Sequence, residues 1–292
     1  ENSFVYFSIK NCNIFNCGTG IMMYDVYNSQ LIDNTCSSNN RGIKLEDCSN
    51  NTLSGNSANN YGWGIQLHNS NNNTLSGNSA NNNDGIGILL WSSHNNTISG
   101  NTANNNHDGI YLIQSNDNTI LGNIMNECGL HLYGENYGDL ETLVSNYVDT
   151  TNLVNGKPLY YYTNQTKLTP NNFTNAGQVI LVNCNDSLIS NLNISYSTNG
   201  ISFYYCNNNT ILGNIANYNS DTGIYLEQSN DNTILGNIVN NNYKGISISR
   251  SHNNTISGNF AHNNNYEGIY LGQSNNNTIS ANYANYNSLS GI

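Results

Sequence analysis

From Gly42 to Ile292 this chain repeats itself every 22 or 23 residues, with one lapse in the middle. One copy reads Gly64-Ile-Gln-Leu-His-Asn-Ser-Asn-Asn-Asn-Thr-Leu-Ser-Gly-Asn, and another reads Gly223-Ile-Tyr-Leu-Glu-Gln-Ser-Asn-Asp-Asn-Thr-Ile-Leu-Gly-Asn. A short fixed period means a solenoid, in which each repeat buries its apolar face only against its neighbours. The register follows Gly20, Gly42, Gly64, Gly87, Gly109, Gly200, Gly223, Gly245, Gly268 and Gly291, each of which precedes Ile. A Thr stands ten residues after most of them, as at Thr52, Thr74, Thr97 and Thr119. That half of the repeat is therefore constant in length, and the Asn-rich stretch before each Gly absorbs the extra residue.

Apolar residues alternate after the glycine, as in Ile65 and Leu67 or Ile224 and Leu226. Period two indicates strand, and no 3.6-residue spacing competes with it. A second short strand is expected at each Thr-Ile/Leu and a third around Ala58, Ala80, Ala103, Ala216, Ala261 and Ala284. Three short strands per coil predict an all-β chain, a right-handed parallel β-helix of about 12–13 rungs. Stacking at roughly 4.8 Å brings like residues into columns. Cys48, Ser70, Ser93 and Ser115 form a small-residue column; Asn51, Asn73, Asn96 and Asn118 form one asparagine column, and Asn34, Asn56, Asn78, Asn101 and Asn123 a second. Asn tolerates the left-handed turn conformation, and stacked amides can hydrogen-bond from rung to rung.

The recurring Gly-Ile-x-Leu…Ser-x-Asn-Asn-Thr-Ile-x-Gly-Asn unit resembles the NosD-like, or parallel β-helix repeat, family, in its archaeal cell-surface form. The segments Val154-Asn-Gly-Lys-Pro-Leu and Ala176-Gly-Gln-Val-Ile-Leu-Val-Asn-Cys extend the likeness through the middle. The resemblance implies the fold more firmly than the role. It covers a copper-delivery factor for nitrous-oxide reductase, carbohydrate lyases and epimerases, and large surface proteins.

Periodicity lapses between Gly134 and Asn175, around Pro158, Pro170 and the Tyr160-Tyr161-Tyr162 cluster. The chain is read as rungs over 1–134, an insertion or flap over 135–176, and rungs over 177–292, one continuous solenoid. It begins without Met and stops within a repeat, which suggests a longer parent.

Net charge is −11, from 7 basic and 18 acidic residues, which argues against nucleic acid as a partner. No apolar run is long enough to span a membrane. Catalytic signals are weak. Asp84 and Asp108 lie in neighbouring turns and are the carboxylates best placed for paired acid/base work. His68, His94, His107, His131, His252 and His262 fall on different slots or distant rungs, so no copper or zinc site is expected. Acidic, oxygen-rich turns suit calcium. Cys184 and Cys206 share a slot on adjacent rungs and suit either a disulfide or stacked free thiols. Exposed aromatics at Tyr160, Tyr161, Tyr162, Tyr225 and Tyr270 are the binding candidates. Sequons occur at Asn50, Asn72, Asn95, Asn164, Asn172, Asn185, Asn193, Asn208, Asn253 and Asn276, as a surface glycoprotein would carry them.

On this reading the chain is an extracellular or cell-surface structural protein, a spacer or a filament component that associates end to end. A carbohydrate-binding or carbohydrate-processing module is the second reading, and metal handling the third. A non-enzymatic role is favoured.

Overall fold

The computed structural model describes residues 6–60, 62–133 and 140–292. The chain divides into two units, Glu1–Leu153 and Val154–Ile292, and each is a right-handed parallel β-helix. The alternating residues after each glycine form the long strand of every coil. In the first unit these are β1 (Thr19–Tyr24), β2 (Arg41–Glu46), β3 (Trp63–His68), β4 (Ile86–Trp91), β5 (Asp108–Ile113) and β6 (Leu130–Tyr133). In the second they are β7 (Lys157–Thr163), β8 (Gln178–Val182), β9 (Ile201–Tyr204), β10 (Thr222–Glu227), β11 (Lys244–Ser249) and β12 (Ile269–Gly272). Each pairs in parallel with the strand one coil away, so Ile43 lies against Ile65 and Ile65 against Ile88. The Thr-Ile/Leu segments stack as a second sheet, for example Thr52–Ser54 on Thr74–Ser76 on Thr97–Ser99. The third side is a run of single bridges, Thr35 to Ser57 to Ser79 to Thr102.

The core follows from this register. Ile43, Leu45, Leu53, Ile65, Leu67, Leu75, Ile88, Leu90 and Ile98 are essentially inaccessible, and each buried aliphatic contributes about 1.5–3 kcal/mol. Ala58, Ala80 and Ala103 are as deeply buried on the third side. The turn asparagines that precede the ladder residues, such as Asn50, Asn72 and Asn95, hold φ of 59°, 56° and 55°. This left-handed region costs Asn less than most residues.

Both expected asparagine columns are hydrogen-bonded ladders. Asn78 Nδ2 donates to Asn101 Oδ1 at 2.9 Å, and Asn101 Nδ2 to Asn123 Oδ1 at 3.0 Å. The structure adds a third ladder, absent from the sequence reading: Asn39, Asn60, Asn83 and Asn106 in the first unit, and Asn219, Asn242, Asn264 and Asn287 in the second. It lies in the stretch of variable length, where a column is hard to see in sequence. The small-residue column also has work to do, since Ser70 Oγ accepts the Cys48 N–H and Ser93 Oγ the Ser70 N–H, both at 3.0 Å.

The stretch without repeats does not stand apart as one flap. Residues 135–139 lie outside the described ones. A short helix, Leu140–Ser145, is the non-repeat element of the first unit. Directly after it Asn146 and Asn152 take ladder positions, accepting from Asn118 Nδ2 at 3.2 Å and Asn123 Nδ2 at 2.9 Å. In the second unit β7 is a regular sheet strand, followed by a 3₁₀ turn at Pro170–Phe173 that buries Phe173.

Candidate functional site

The outward face of the sheet β1–β6 departs most from the Asn/Ser/Thr monotony of the repeat. Register places three outward columns on it. One carries Thr19, Arg41 and Trp63; the next Met22, Lys44, Gln66, Leu89, Tyr111 and His131; the third Tyr24, Glu46, His68, Trp91, Ile113 and Tyr133. Both tryptophans of the chain are here, and both are exposed.

They belong to one cleft of about 340 Å³ over β2, β3 and β4. Ile86, Leu89 and Ile113 give it an apolar floor, and Trp63 and Trp91 line it with Arg41, Lys44, Glu46, Gln66 and His68. Arg41 stacks on Trp63, its guanidinium carbon 4.9 Å from the ring centroid. The His68 ring meets Trp91 at 5.1 Å, tilted by 59°. Lys44 Nζ donates to Glu46 Oε2 at 2.7 Å, and that hydrogen bond holds the Glu46 carboxyl below the usual carboxylate range. His68 Nδ1 lies 3.5 Å from Glu46 Oε1. Gln66 is 5% exposed, and its Nε2 has no hydrogen-bond acceptor among the described residues; Arg41 Nε likewise has none there. The cleft thus offers flat aromatic surface, hydrogen-bond donors and more cations than anions.

The residues singled out from sequence fare unequally. Asp84 is exposed and lines a separate corner hollow with Ser38, Asn59, Asn60 and Asn82. Asp108 is buried on β5, so the two carboxylates do not face one another across a shared cleft. Asp108 is instead held by His131 Nδ1 at 3.0 Å and His107 Nδ1 at 3.3 Å, and His131 stacks flat on Tyr111 at 4.4 Å. Burial alone would raise the Asp108 pKa, but the two histidine contacts outweigh it and hold the carboxyl well below its ordinary value. A depressed carboxylate stabilises the fold above its unfolded pKa of about 3.9 and loses that contribution as pH falls. Asp108→Asn is therefore expected to flatten the acid limb. Denaturant midpoints measured between about pH 6 and about pH 2 should fall less steeply than in the parent. An unchanged slope would show that this cluster does not govern acid stability.

The tyrosine candidates divide. Tyr160 and Tyr162 occupy inward columns, pack edge-on against Phe173 at 6.0 and 5.8 Å, and donate their hydroxyls to Thr174 O and Asn172 O. Half-buried, they pack against the core of the second unit. Tyr161, between them, belongs to the outward column, and its burial raises its pKa. Tyr225 faces outward but gives its hydroxyl to Glu227 Oε2 at 2.8 Å, in a cluster that includes Arg250. Tyr270 is covered by Lys244 Nζ, 3.9 Å from its ring centre. Lys244 also forms a 3.3 Å contact with Glu267, which is buried.

Cys184 and Cys206 stack on adjacent coils as expected, yet both are free thiols and no disulfide joins them. Cys206 Sγ lies against Leu181 O and Tyr204 O, each at 3.3 Å, and accepts the Cys184 N–H at 3.4 Å. The thiol replaces the serine hydroxyl of other coils. Of the ten sequon asparagines, nine are exposed; Asn185 is half-buried, and its Oδ1 accepts the Asn207 N–H.

Sequence comparison matches the family described as periplasmic copper-binding protein (NosD) over residues 2–171 and 149–292. The chain belongs to the NosD family. No curated protein matches it. Among solved structures, the A-module of an Azotobacter vinelandii mannuronan C-5 epimerase is 15% identical with a TM-score of 0.40, over 97% of this chain and 78% of that one. A periplasmic alginate epimerase is 12% identical with a TM-score of 0.40, over 96% and 74%. A Streptococcus pneumoniae surface protein and adhesin is 13% identical with a TM-score of 0.39, over 94% and 66%.

The copper of the NosD description finds no matching donor set here. Among the described residues no group of three or more His, Cys, Asp or Glu side chains is arranged to hold a metal ion. The histidine nitrogens have other partners: Nδ1 of His94, His252 and His262 accepts the backbone N–H of Asn116, Asn275 and Asn285. Cys36, Cys48, Cys128, Cys184 and Cys206 are buried in interior columns. No helix among the described residues is long and apolar enough to cross a membrane.

Trp63, Trp91, Arg41 and Gln66 were missed by sequence reasoning, although a usable signal existed. The alternation that marked Tyr225 and Tyr270 as outward assigns Gln66 and Trp91 to outward slots too. What sequence lacked was the lateral neighbour, because Arg41, Trp63 and Trp91 sit on three different coils.

Proposed function

We propose that this NosD-family chain is a glycan-binding β-helix acting outside the cytoplasm, and that it binds along the outward face of β2–β4. The observation that carries this reading is the pair Trp63 and Trp91, both exposed and lining one cleft with hydrogen-bonding and charged groups. Sugar rings present a C–H face that stacks on indole and a rim of hydroxyls that needs donors and acceptors. An open cleft running across successive coils suits an extended polymer. A spacer or filament built by end-to-end association needs no such cleft, which is why binding is preferred here.

Trp91→Ala is expected to weaken binding of a bound oligosaccharide by about tenfold or more, the effect of removing an aromatic anchor. Calorimetric titration against a panel of neutral and acidic oligosaccharides measures it. Binding with unchanged affinity in both Trp63→Ala and Trp91→Ala, or no binding across the panel, would overturn the proposal.

A further inference from the structure

We infer that the cleft selects acidic glycans, and that it holds the carboxylate of a uronic acid residue between Arg41 and Gln66. This rests on the glycan-binding reading above and adds the chemistry of the ligand. Three observations carry it.

The first is charge. The chain has 7 Lys and Arg residues against a net charge of −11, yet Arg41 and Lys44 line this one cleft, with His68 beside them. Glu46 is the single carboxylate lining it, and Lys44 already neutralises it at 2.7 Å. Two of the seven cations thus share one aromatic cleft, and with Lys44 paired to Glu46 it is Arg41 that is left to meet an anion there.

The second is unmet donors. Gln66 is 5% exposed, and its Nε2 has no acceptor among the described residues; Arg41 Nε is shut off from water and also has none there. Buried N–H groups are otherwise almost always paired. The outward column that carries Gln66 passes from Lys44 to Gln66 to Leu89, so the amide sits between a cation and an apolar floor with no acceptor from its strand neighbours.

The third is shape. The Arg41 guanidinium lies over the Trp63 ring at 4.9 Å. A stacked guanidinium keeps its terminal N–H groups free for a planar acceptor, and the two terminal nitrogens form the end-on fork that clamps a carboxylate. Trp91 lines the same cleft, where the rest of the sugar ring can stack.

The test titrates the whole chain with one oligouronate, its carboxyl-reduced counterpart of equal length and linkage, and a sulfated oligosaccharide of similar charge. The oligouronate is expected to bind at least tenfold more tightly than the carboxyl-reduced sugar. Arg41→Lys, which keeps the charge but not the fork, and Gln66→Met, which keeps the volume but not the donor, should each remove most of that preference. Far-UV circular dichroism and the thermal midpoint of each variant should match the parent, which shows that the variants are folded. Added salt should narrow the gap. Equal binding of the oligouronate and its reduced form would overturn the inference and leave glycan binding standing. Preference for the sulfated sugar would overturn the planar-carboxylate assignment. Failure of all three to bind would remove the inference together with the reading beneath it.

Discussion

Asn101→Ala is expected to lower the stability of the first unit by about 4 kcal/mol, roughly 10 °C in thermal midpoint. Asn101 is fully buried. Its Oδ1 accepts the backbone N–H of Asn78 at 2.8 Å and the Asn78 side-chain amide at 2.9 Å. Its Nδ2 donates to Leu75 O and Asn123 Oδ1, both at 3.0 Å. Alanine removes all four bonds and leaves polar groups of three neighbouring residues in a dry interior. Each orphaned group costs about 1–3 kcal/mol, since water does not replace the lost partner. The loss falls on the contact between coils, and a repeat protein is held together by such nearest-neighbour contacts. Thermal or urea unfolding followed by far-UV circular dichroism measures it. A loss below about 1 kcal/mol would mean that the ladders are decorative and that aliphatic stacking alone couples the coils.

Gly87→Ala is expected to cost about 3 kcal/mol or more, the upper range for forcing volume into a packed site. A Cβ at Gly87 would lie 2.7 Å from Gly109 O, 2.6 Å from Asn106 Nδ2 and 2.9 Å from Ala103 Cβ. One of those neighbours is backbone of the next coil and cannot turn aside. The contrast is Gly77→Ala, where φ is 63° and nothing lies within 4 Å. There only the left-handed strain remains, about 1–2 kcal/mol. Comparing denaturant midpoints of the two variants separates crowding from strain. If Gly87→Ala proved no costlier than Gly77→Ala, close approach between coils would not be what keeps glycine in the Gly-Ile column.

Those two residues show how far a sequence of this kind can be read. The period made Asn101 and Gly87 members of columns before any coordinates existed, because in a parallel coil the residue one period away is also the spatial neighbour. Strand, core and two of the ladders followed from that. The third ladder escaped because its asparagines, such as Asn83 and Asn106, lie where the coil length changes and Asn is abundant on all sides. The packing of the tyrosine cluster was not legible because β7 looks irregular by repeat but is regular by register, which turns Tyr160 and Tyr162 onto Phe173.

Sequence alone determined what is periodic in this protein: the all-β coil, its aliphatic columns, its two expected asparagine columns, and the stacking of Cys184 on Cys206. Tertiary structure decided what is not periodic. A site on a solenoid face is made of residues that break the repeat on neighbouring coils, and their distances depend on side-chain direction as well as spacing. That is why Arg41 over Trp63, the unpaired amide of Gln66, and Asp108 between His107 and His131 came into view only with the coordinates. Columns are fixed by backbone hydrogen bonds common to every coil, whereas these clusters are fixed by contacts that occur once.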